Sequence, residues 1–83
     1  MRFMVRFTHR DPGREEVASL IPAERARVAE LRSAGTLEAL YLAADRSGGW
    51  IVMQGPSLEW IEEALATLPL YPYLDFELTA LQD

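Results

Sequence analysis

The sequence of 83 residues has no cysteine and a single histidine. Without cysteine the chain can form neither a disulfide bond nor a thiolate metal site, and one histidine does not supply a histidine-rich metal centre. The Gly48-Gly49 pair is too short for a phosphate-binding loop, and no Ser-His-Asp arrangement is recognisable. The sequence therefore predicts no metal and gives no motif for a nucleotide cofactor.

Positive charge is also scarce, since 8 basic residues face 13 acidic ones and give a net charge of −5. Nucleic acid and anionic membrane surfaces both require a basic patch, so we expect neither to be a partner. No apolar run approaches the roughly 20 residues that span a membrane, and the N-terminus begins a strand pattern rather than a signal peptide. These absences predict a cytoplasmic protein.

What the chain does have is apolar side chains, which make up 49% of its residues. A chain of this length forms one domain, predicted here to span residues 1–83, and it buries only about 60–65% of its unfolded surface. Part of the apolar surface must then remain exposed or enter a contact between subunits. We expect the contact, and hence a homodimer or a larger homo-oligomer.

Residues 68–81 contain the clearest local pattern. Pro69 and Pro72 lack a backbone N–H and bias the residues before them away from the helical region, so a helix that arrives here must end. The residues that follow alternate, which is typical of a half-buried strand. Its apolar face carries Leu74, Phe76, Leu78 and Ala80, and its polar face carries Tyr73, Asp75, Glu77 and Thr79. The segment predicts an aromatic corner that resembles the wall of a cleft, followed by a strand that closes the sheet.

The N-terminal half predicts one strand and one helix. Residues 2–8 alternate between apolar and polar and predict strand one, and residues 9–13 predict a turn because they contain a proline and a glycine. Residues 14–20 are ambiguous and allow a short helical turn. The helix itself is predicted to begin at Pro22, which suits a first turn, and to end before Gly35.

The middle of the chain predicts two strands and a second helix. Residues 36–43 predict strand two, a hairpin turn follows at 45–49, and residues 50–54 predict strand three. Strand two is apolar on both faces, with Leu37, Ala39, Tyr41 and Ala43 on one and Glu38, Leu40 and Leu42 on the other. Ser57 suits the N-cap of helix two. The buried stripe of that helix is predicted to consist of Leu58, Ile61, Leu65 and Leu68.

The resulting order, β-α-β-β-α-β, is that of the ferredoxin-like α+β fold. It predicts a four-stranded antiparallel sheet with both helices on one face. A single layer of helices cannot cover both apolar faces of strand two, so a second subunit packed sheet against sheet is the simplest solution.

One segment closely resembles the C-terminal signature of the muconolactone isomerase family, namely Leu68-Pro69-Leu70-Tyr71-Pro72-Tyr73-Leu74-Asp75 with the alternating strand after it. The family's helix segment is matched by Glu24-Arg25-Ala26, Glu30-Leu31 and Gly35. The resemblance spans nearly the whole chain and implies a dimeric α/β barrel. It also implies a cofactor-free isomerase of aromatic catabolism, which shifts a carbon–carbon double bond in a small unsaturated lactone by moving a proton.

The chain departs from the family's pattern after helix one. The family carries a basic and aromatic segment there, whereas residues 36–42 keep only the aromatic residue, Tyr41. If the basic residues bind the carboxylate of the lactone, this chain has lost that function or moved it. Two further interpretations therefore stay open. One is a cyclase or a cofactor-free oxygenase of an aromatic, polyketide-like compound, and the other is a non-enzymatic ligand-binding or assembly protein.

Glu24 is the first candidate catalytic residue. It precedes Val28 by four positions and Leu31 by seven, which places a carboxylate on the apolar stripe of helix one. Loss of water there raises a carboxyl pKa and suits the group to proton transfer near neutral pH. The alternative is that Glu24 lies at the edge of the stripe and pairs with Arg25 or Arg27.

Three tyrosines supply candidate hydroxyl groups. Tyr73 is predicted to be catalytic, as a donor to an enolate oxygen, and Tyr71 and Tyr41 are predicted to bind the substrate. The resemblance supports Tyr41, because the family tends to have an aromatic residue at this place in strand two. The alternative is that the rings pack in the core and at the corner.

His9 and Arg6 complete the candidate site. His9 ends strand one beside a loop and could bind substrate or act as an acid–base group. Arg6, with Arg2 on the same face, could bind a substrate carboxylate. The alternatives are an incidental loop histidine, and arginines that are solvated or paired with Asp75 or Glu77. Asp75 itself is expected to be structural.

Overall fold

A computed structural model describes residues 1–11 and 14–82 of the chain. Its elements, in chain order, are β1 (Arg2–His9), α1 (Glu15–Ser33), β2 (Leu37–Leu42), β3 (Gly48–Gln54), α2 (Leu58–Ala66), a 3-10 turn (Tyr71–Tyr73) and β4 (Leu74–Ala80). This order confirms the predicted ferredoxin-like α+β fold. Pro12 and Gly13, which belong to the predicted turn after strand one, lie outside the described residues.

The four strands form one antiparallel sheet in the order β2-β3-β1-β4. In its register, Val5 of β1 lies between Ile51 of β3 and Leu78 of β4. We call the face that carries these three side chains the inner face, because it packs against both helices; the opposite face is the outer face. The buried core consists of Phe3, Val5, Phe7, Val17, Leu31, Leu37, Ile51, Met53, Ile61, Leu65, Leu68, Leu70 and Leu74.

Helix α1 begins at Glu15 rather than at Pro22, so the predicted start is wrong. Glu15 and Glu16 lie in the first turn, where the helix dipole favours carboxylates, and Val17 is buried in the core. Pro22 is exposed inside the helix and removes one backbone hydrogen bond, a cost that the packing of the longer helix offsets. The predicted end is confirmed, because Gly35 follows the helix with a φ of +83°.

Strand β2 contains an irregularity that changes which side chains face the core. Its register against β3 shifts between Leu37 and Ala39, so Leu37 and Leu40 both lie on the inner face. A β-bulge of this kind places two residues of one strand opposite one residue of its partner. The prediction that Leu37 shares a face with Ala39 and Tyr41 is therefore wrong. Tyr41 lies on the outer face, opposite Trp50.

Helix α2 begins as predicted, because the Ser57 Oγ accepts a hydrogen bond of 3.2 Å from a backbone N–H of the first turn. Ile61 and Leu65 are buried, as the stripe predicts, whereas Leu58 is exposed at the start of the helix. Leu68 enters the core from the segment after the helix. Helix α2 therefore lies on the inner face and leads into the proline-containing corner.

Strand β3 begins at Gly48, within the segment that the sequence predicts as a turn. Gly48 is buried, and a Cβ there would collide with the carbonyl oxygen of Phe7 and lie 2.8 Å from the Cα of Thr8. The two strands can approach this closely only at a residue without a side chain. We predict that Gly48→Ala lowers the free energy of unfolding by about 1–3 kcal/mol, as measured by urea denaturation.

Arg46, in the same hairpin, provides the control, because its φ of 65° lies in the left-handed region. Glycine adopts this conformation without steric cost, so Arg46→Gly should leave stability unchanged or raise it slightly. If Gly48→Ala and Arg46→Gly destabilised the protein equally, the close contact between the strands would not be the cause of the effect at Gly48.

Candidate active site

A cavity of about 330 Å³ lies between helix α1, the inner face of the sheet and the segment that leads into β4. Its wall is mainly apolar and includes Phe7, Ile21, Val28, Leu40, Ile51 and Phe76. Among the described residues that line it, three are polar: His9, Glu24 and Arg25. A few polar groups in an apolar concave space are the usual composition of a small-molecule site.

Glu24 projects from α1 into this cavity and is half-buried. Its Oε1 atom accepts a hydrogen bond of 3.0 Å from the backbone N–H of Leu70. This contact joins α1 to the segment between α2 and β4 and fixes the orientation of the carboxylate. Within the described residues Oε2 accepts no hydrogen bond, so it is available to a ligand.

The two arginines that neighbour Glu24 in the sequence do not pair with it in the part of the chain that the structure describes. Arg27 donates hydrogen bonds to Glu30 at 3.0 Å and to Thr67 at 2.9 Å. Arg25 contributes to the cavity wall. Glu24 thus occupies the predicted stripe position, and the alternative of an ion pair with Arg25 or Arg27 is not observed.

Burial raises the pKa of Glu24 above the usual value for a glutamate, because the charged form loses water. The hydrogen bond from Leu70 and the nearby His9 act in the opposite direction, and each has a smaller effect. The direction of the shift is the one predicted from the apolar stripe. A raised pKa makes the ionised carboxylate a stronger base than that of an ordinary glutamate, which suits it to proton transfer.

His9 is the last residue of β1 and lies on the inner face, opposite Leu74. Its ring contacts Phe7 edge to face, with 6.2 Å between the ring centroids. The Nδ1 atom is buried and has no hydrogen-bond partner among the described residues. An unpaired buried nitrogen is costly, and other atoms of the His9 side chain line the cavity.

Tyr71 and Tyr73 flank Pro72 beside the cavity, but neither ring lines it. Tyr73 is half-buried against the core, with the guanidinium carbon of Arg14 5.7 Å from its ring centroid. Tyr71 is exposed and stacks on Phe76, with 5.6 Å between the centroids. Tyr71 therefore supports a residue of the cavity wall from outside, and Tyr73 packs at the corner.

Arg6 and Tyr41 lie on the outer face, so the sheet separates them from Glu24 and His9. Tyr41 is 61% exposed, and the Arg6 guanidinium carbon lies 6.0 Å from the centroid of the Trp50 ring. Of the predicted site residues, the structure thus brings Glu24 and His9 together and places Arg6 and Tyr41 on a different surface.

Asp75 holds the proline-containing corner in place. It accepts a hydrogen bond of 2.8 Å from Arg10 Nε, and the same guanidinium donates to the Pro72 carbonyl oxygen at 3.3 Å. This agrees with a structural role for Asp75, which Arg10 links to the corner.

Two parts of the site were not predicted. Arg25 lines the cavity beside Glu24, and the Leu70 N–H holds the carboxylate. Arg25 is rotated by about 100° from Glu24 on the helix, so the apolar stripe does not identify it. A backbone N–H carries no signal in the sequence, because every residue except proline has one.

Within the described residues, no group of three or more histidine, cysteine, aspartate or glutamate side chains is arranged to hold a metal ion. No helix in residues 1–11 and 14–82 is long and apolar enough to cross a membrane. The polar groups that the cavity does contain are side chains capable of proton transfer and anion binding.

The fold and the cavity define a class: a ferredoxin-like α+β protein with a mainly apolar cavity between helix and sheet, lined by a glutamate and a histidine. The sequence model of the muconolactone delta-isomerase family matches residues 1–83. The chain belongs to this family, as the resemblance predicts.

Two solved structures are similar to the chain. One is the crystal structure of muconolactone isomerase, with a TM-score of 0.84 and 29% identity, covering 100% of this chain and 90% of that chain. The other is 5-chloro-2-hydroxyhydroquinone dehydrochlorinase from Burkholderia phenoliruptrix AC1100, in complex with 2,5-dihydroxybenzoquinone. Its TM-score is 0.76 and its sequence identity 17%, and the match covers 99% of this chain and 94% of that chain. This similarity shows the fold alone. None of the curated protein sequences compared with the chain matches it.

Proposed function

We propose that this protein is a cofactor-free isomerase that moves a proton between two carbon atoms of a small unsaturated lactone or a related carboxylate. The observation that carries the proposal is the Glu24 carboxylate, half-buried in an apolar cavity with a raised pKa. Membership of the muconolactone delta-isomerase family supports it. The cavity volume of about 330 Å³ lies at the small end of ligand pockets, which suits a single small ring.

Glu24 is placed to carry out both proton transfers. Its ionised carboxylate takes a proton from a carbon in conjugation with the lactone carbonyl, and the C–H electron pair moves into a dienolate. The protonated Glu24 then returns the proton to a different carbon, which completes the double-bond shift and regenerates the carboxylate. The Leu70 N–H holds Oε1 during both steps and leaves Oε2 for the proton.

His9 is proposed to stabilise the enolate oxygen. Its ring lines the same cavity, and an imidazole can donate a hydrogen bond from the nitrogen that carries the proton. The apolar walls strengthen this hydrogen bond because they exclude water. Tyr73 does not line the cavity, so the proposal assigns the role of enolate donor to His9.

The alternative functions make different demands on the cavity. A cyclase or oxygenase of a polyketide-like compound needs room for several rings, more than a cavity of about 330 Å³ supplies. A non-enzymatic assembly protein needs no cavity between helices and sheet, whereas about 330 Å³ of space remains there. Both observations favour the isomerase.

We further propose a cytoplasmic homodimer, formed by packing the outer faces of two copies. The outer face carries Tyr41 and Trp50, both exposed, beside the half-buried Met4 and Val52. Exposed aromatic side chains are enriched at protein interfaces. A role in aromatic catabolism is proposed from the family alone.

Proton exchange tests the proposed reaction. In D₂O, the protein is expected to replace a carbon-bound hydrogen of muconolactone with deuterium, which ¹H NMR follows even when isomerisation is at equilibrium. The exchange rate should rise with pH through the raised pKa of Glu24, because the ionised carboxylate is the base. Binding of muconolactone without exchange at any pH would contradict the isomerase and leave a ligand-binding protein.

A further inference from the structure

We propose that Arg25 binds the anionic group of the substrate at the mouth of the cavity and so selects a small carboxylate over its neutral analogues. Arg25 would act in the reaction proposed above, so the inference rests on the proposed function and names its substrate class. Three observations support it. Arg25 is directed towards the edge strand β2, the cavity opens on that flank, and the guanidinium has no partner among the described residues.

Arg25 lies on the side of α1 that faces away from α2. Successive residues of an α-helix are rotated by about 100°, so Arg25 and Arg27 lie on opposite sides of Glu24. Arg27 reaches the end of α2, where it donates to Thr67 at 2.9 Å. Arg25 is therefore directed towards the other flank, where the edge strand β2 lies, and it lines the cavity there.

The cavity opens on this flank. Leu40 and Leu42 of β2 line it from the side of the sheet. Leu42 is 72% exposed although it lies on the inner face, in the same strand as the half-buried Leu40. A leucine this exposed at the edge of a buried face marks the place where the cavity wall meets solvent. Arg25 is also exposed and also lines the cavity, so both residues are placed where the cavity meets solvent.

Arg25 has no partner of its own in the described part of the chain. It takes part in no hydrogen bond or ion pair there, whereas Arg27 pairs with Glu30 at 3.0 Å. Its planar guanidinium can bind both oxygens of one carboxylate. In a chain of net charge −5, an unpaired cation at the rim of an apolar cavity is suited to an anionic ligand.

This placement also predicts how the substrate is oriented. An anion deep in the cavity would lie near the Glu24 carboxylate, and two like charges in an apolar space repel each other. With the anion on Arg25 at the rim, the uncharged ring enters the cavity and brings its reacting carbon to Glu24 and His9. The substrate class is therefore a small amphipathic carboxylate with its charge at one end.

Muconolactone and its methyl ester provide the test, because they share one ring and differ in charge. Binding is measured by NMR titration for the unmodified protein, Arg25→Gln and Arg32→Gln; Arg32 is an exposed arginine of α1 that does not line the cavity. The unmodified protein and Arg32→Gln should bind the acid roughly tenfold more tightly than the ester. Arg25→Gln should bind both alike, with the KM for the acid raised and kcat little changed.

Binding and turnover separate this inference from the proposed function. An acid preference that disappears in Arg25→Gln supports the role of Arg25 even when neither compound is converted, in which case the isomerase proposal fails alone. Three results would overturn the role of Arg25. The preference for the acid could persist in Arg25→Gln, or it could be lost equally in Arg32→Gln. The third is that neither compound binds at millimolar concentration. Added salt should weaken the preference, because charges at an exposed rim are screened.

Discussion

Glu24→Gln is expected to lower the rate of proton exchange by roughly 10²-fold or more while the protein stays folded. Glutamine keeps the shape of the side chain and an oxygen that accepts the Leu70 N–H, but it cannot take up the proton. Deuterium incorporation into muconolactone measures the rate. Glu30→Gln is the matched control, because Glu30 is an exposed residue of the same helix that pairs with Arg27 and does not line the cavity. Its rate should equal that of the unmodified protein.

The same substitution should change how stability depends on pH. Burial raises the pKa of Glu24, so the folded protein binds that proton more tightly than the unfolded chain does. The resulting stability is present in acid and is lost as the pH rises from the usual glutamate pKa through the raised one. Glu24→Gln removes this loss. Urea denaturation should therefore show a higher free energy of unfolding than that of the unmodified protein near neutral pH, and no such gain in acid. A clear loss of stability with full activity would instead make Glu24 a structural residue and place the active site elsewhere.

The sequence could predict those parts of the fold whose cause is local. Ser57 caps α2 because its hydroxyl meets an N–H three residues away, and Gly35 ends α1 because the backbone there requires a positive φ. The position of Glu24 has the same kind of cause. A residue four positions before Val28 lies on the same side of any α-helix, whatever packs against it.

Other parts depend on residues that are distant in the sequence. The bulge in β2 arises from pairing with β3, so alternation alone assigns Leu37 to the wrong face. Pro22 by itself indicates the start of a helix, but the burial of Val17 favours a helix that already begins at Glu15. The contact between Glu24 and the segment before β4 is made by the Leu70 N–H, which no side-chain pattern identifies.

Trp50→Glu is expected to convert a dimer of two 9.4 kDa chains into monomers. Trp50 lies on the outer face between Tyr41 of β2 and Arg6 of β1. Glutamate removes the aromatic contact and adds a charge that loses water when the two faces pack, even with Arg6 opposite it. A cost of about 3 kcal/mol weakens association by roughly 10²-fold. Sedimentation equilibrium at micromolar concentration measures the change in mass.

Trp60→Glu controls for the loss of a tryptophan and the gain of a charge. Trp60 is 40% exposed and Trp50 39%, but Trp60 lies on α2 and not on the outer face. The sheet-to-sheet dimer would be contradicted if Trp50→Glu and Trp60→Glu were both monomeric or both dimeric. It would also be contradicted if the unmodified protein were already monomeric. Because Glu24 and His9 line a cavity on the helix side of the sheet, within one subunit, the Trp50→Glu monomer should still exchange protons. Glu24→Gln should show the reverse, a dimer without exchange.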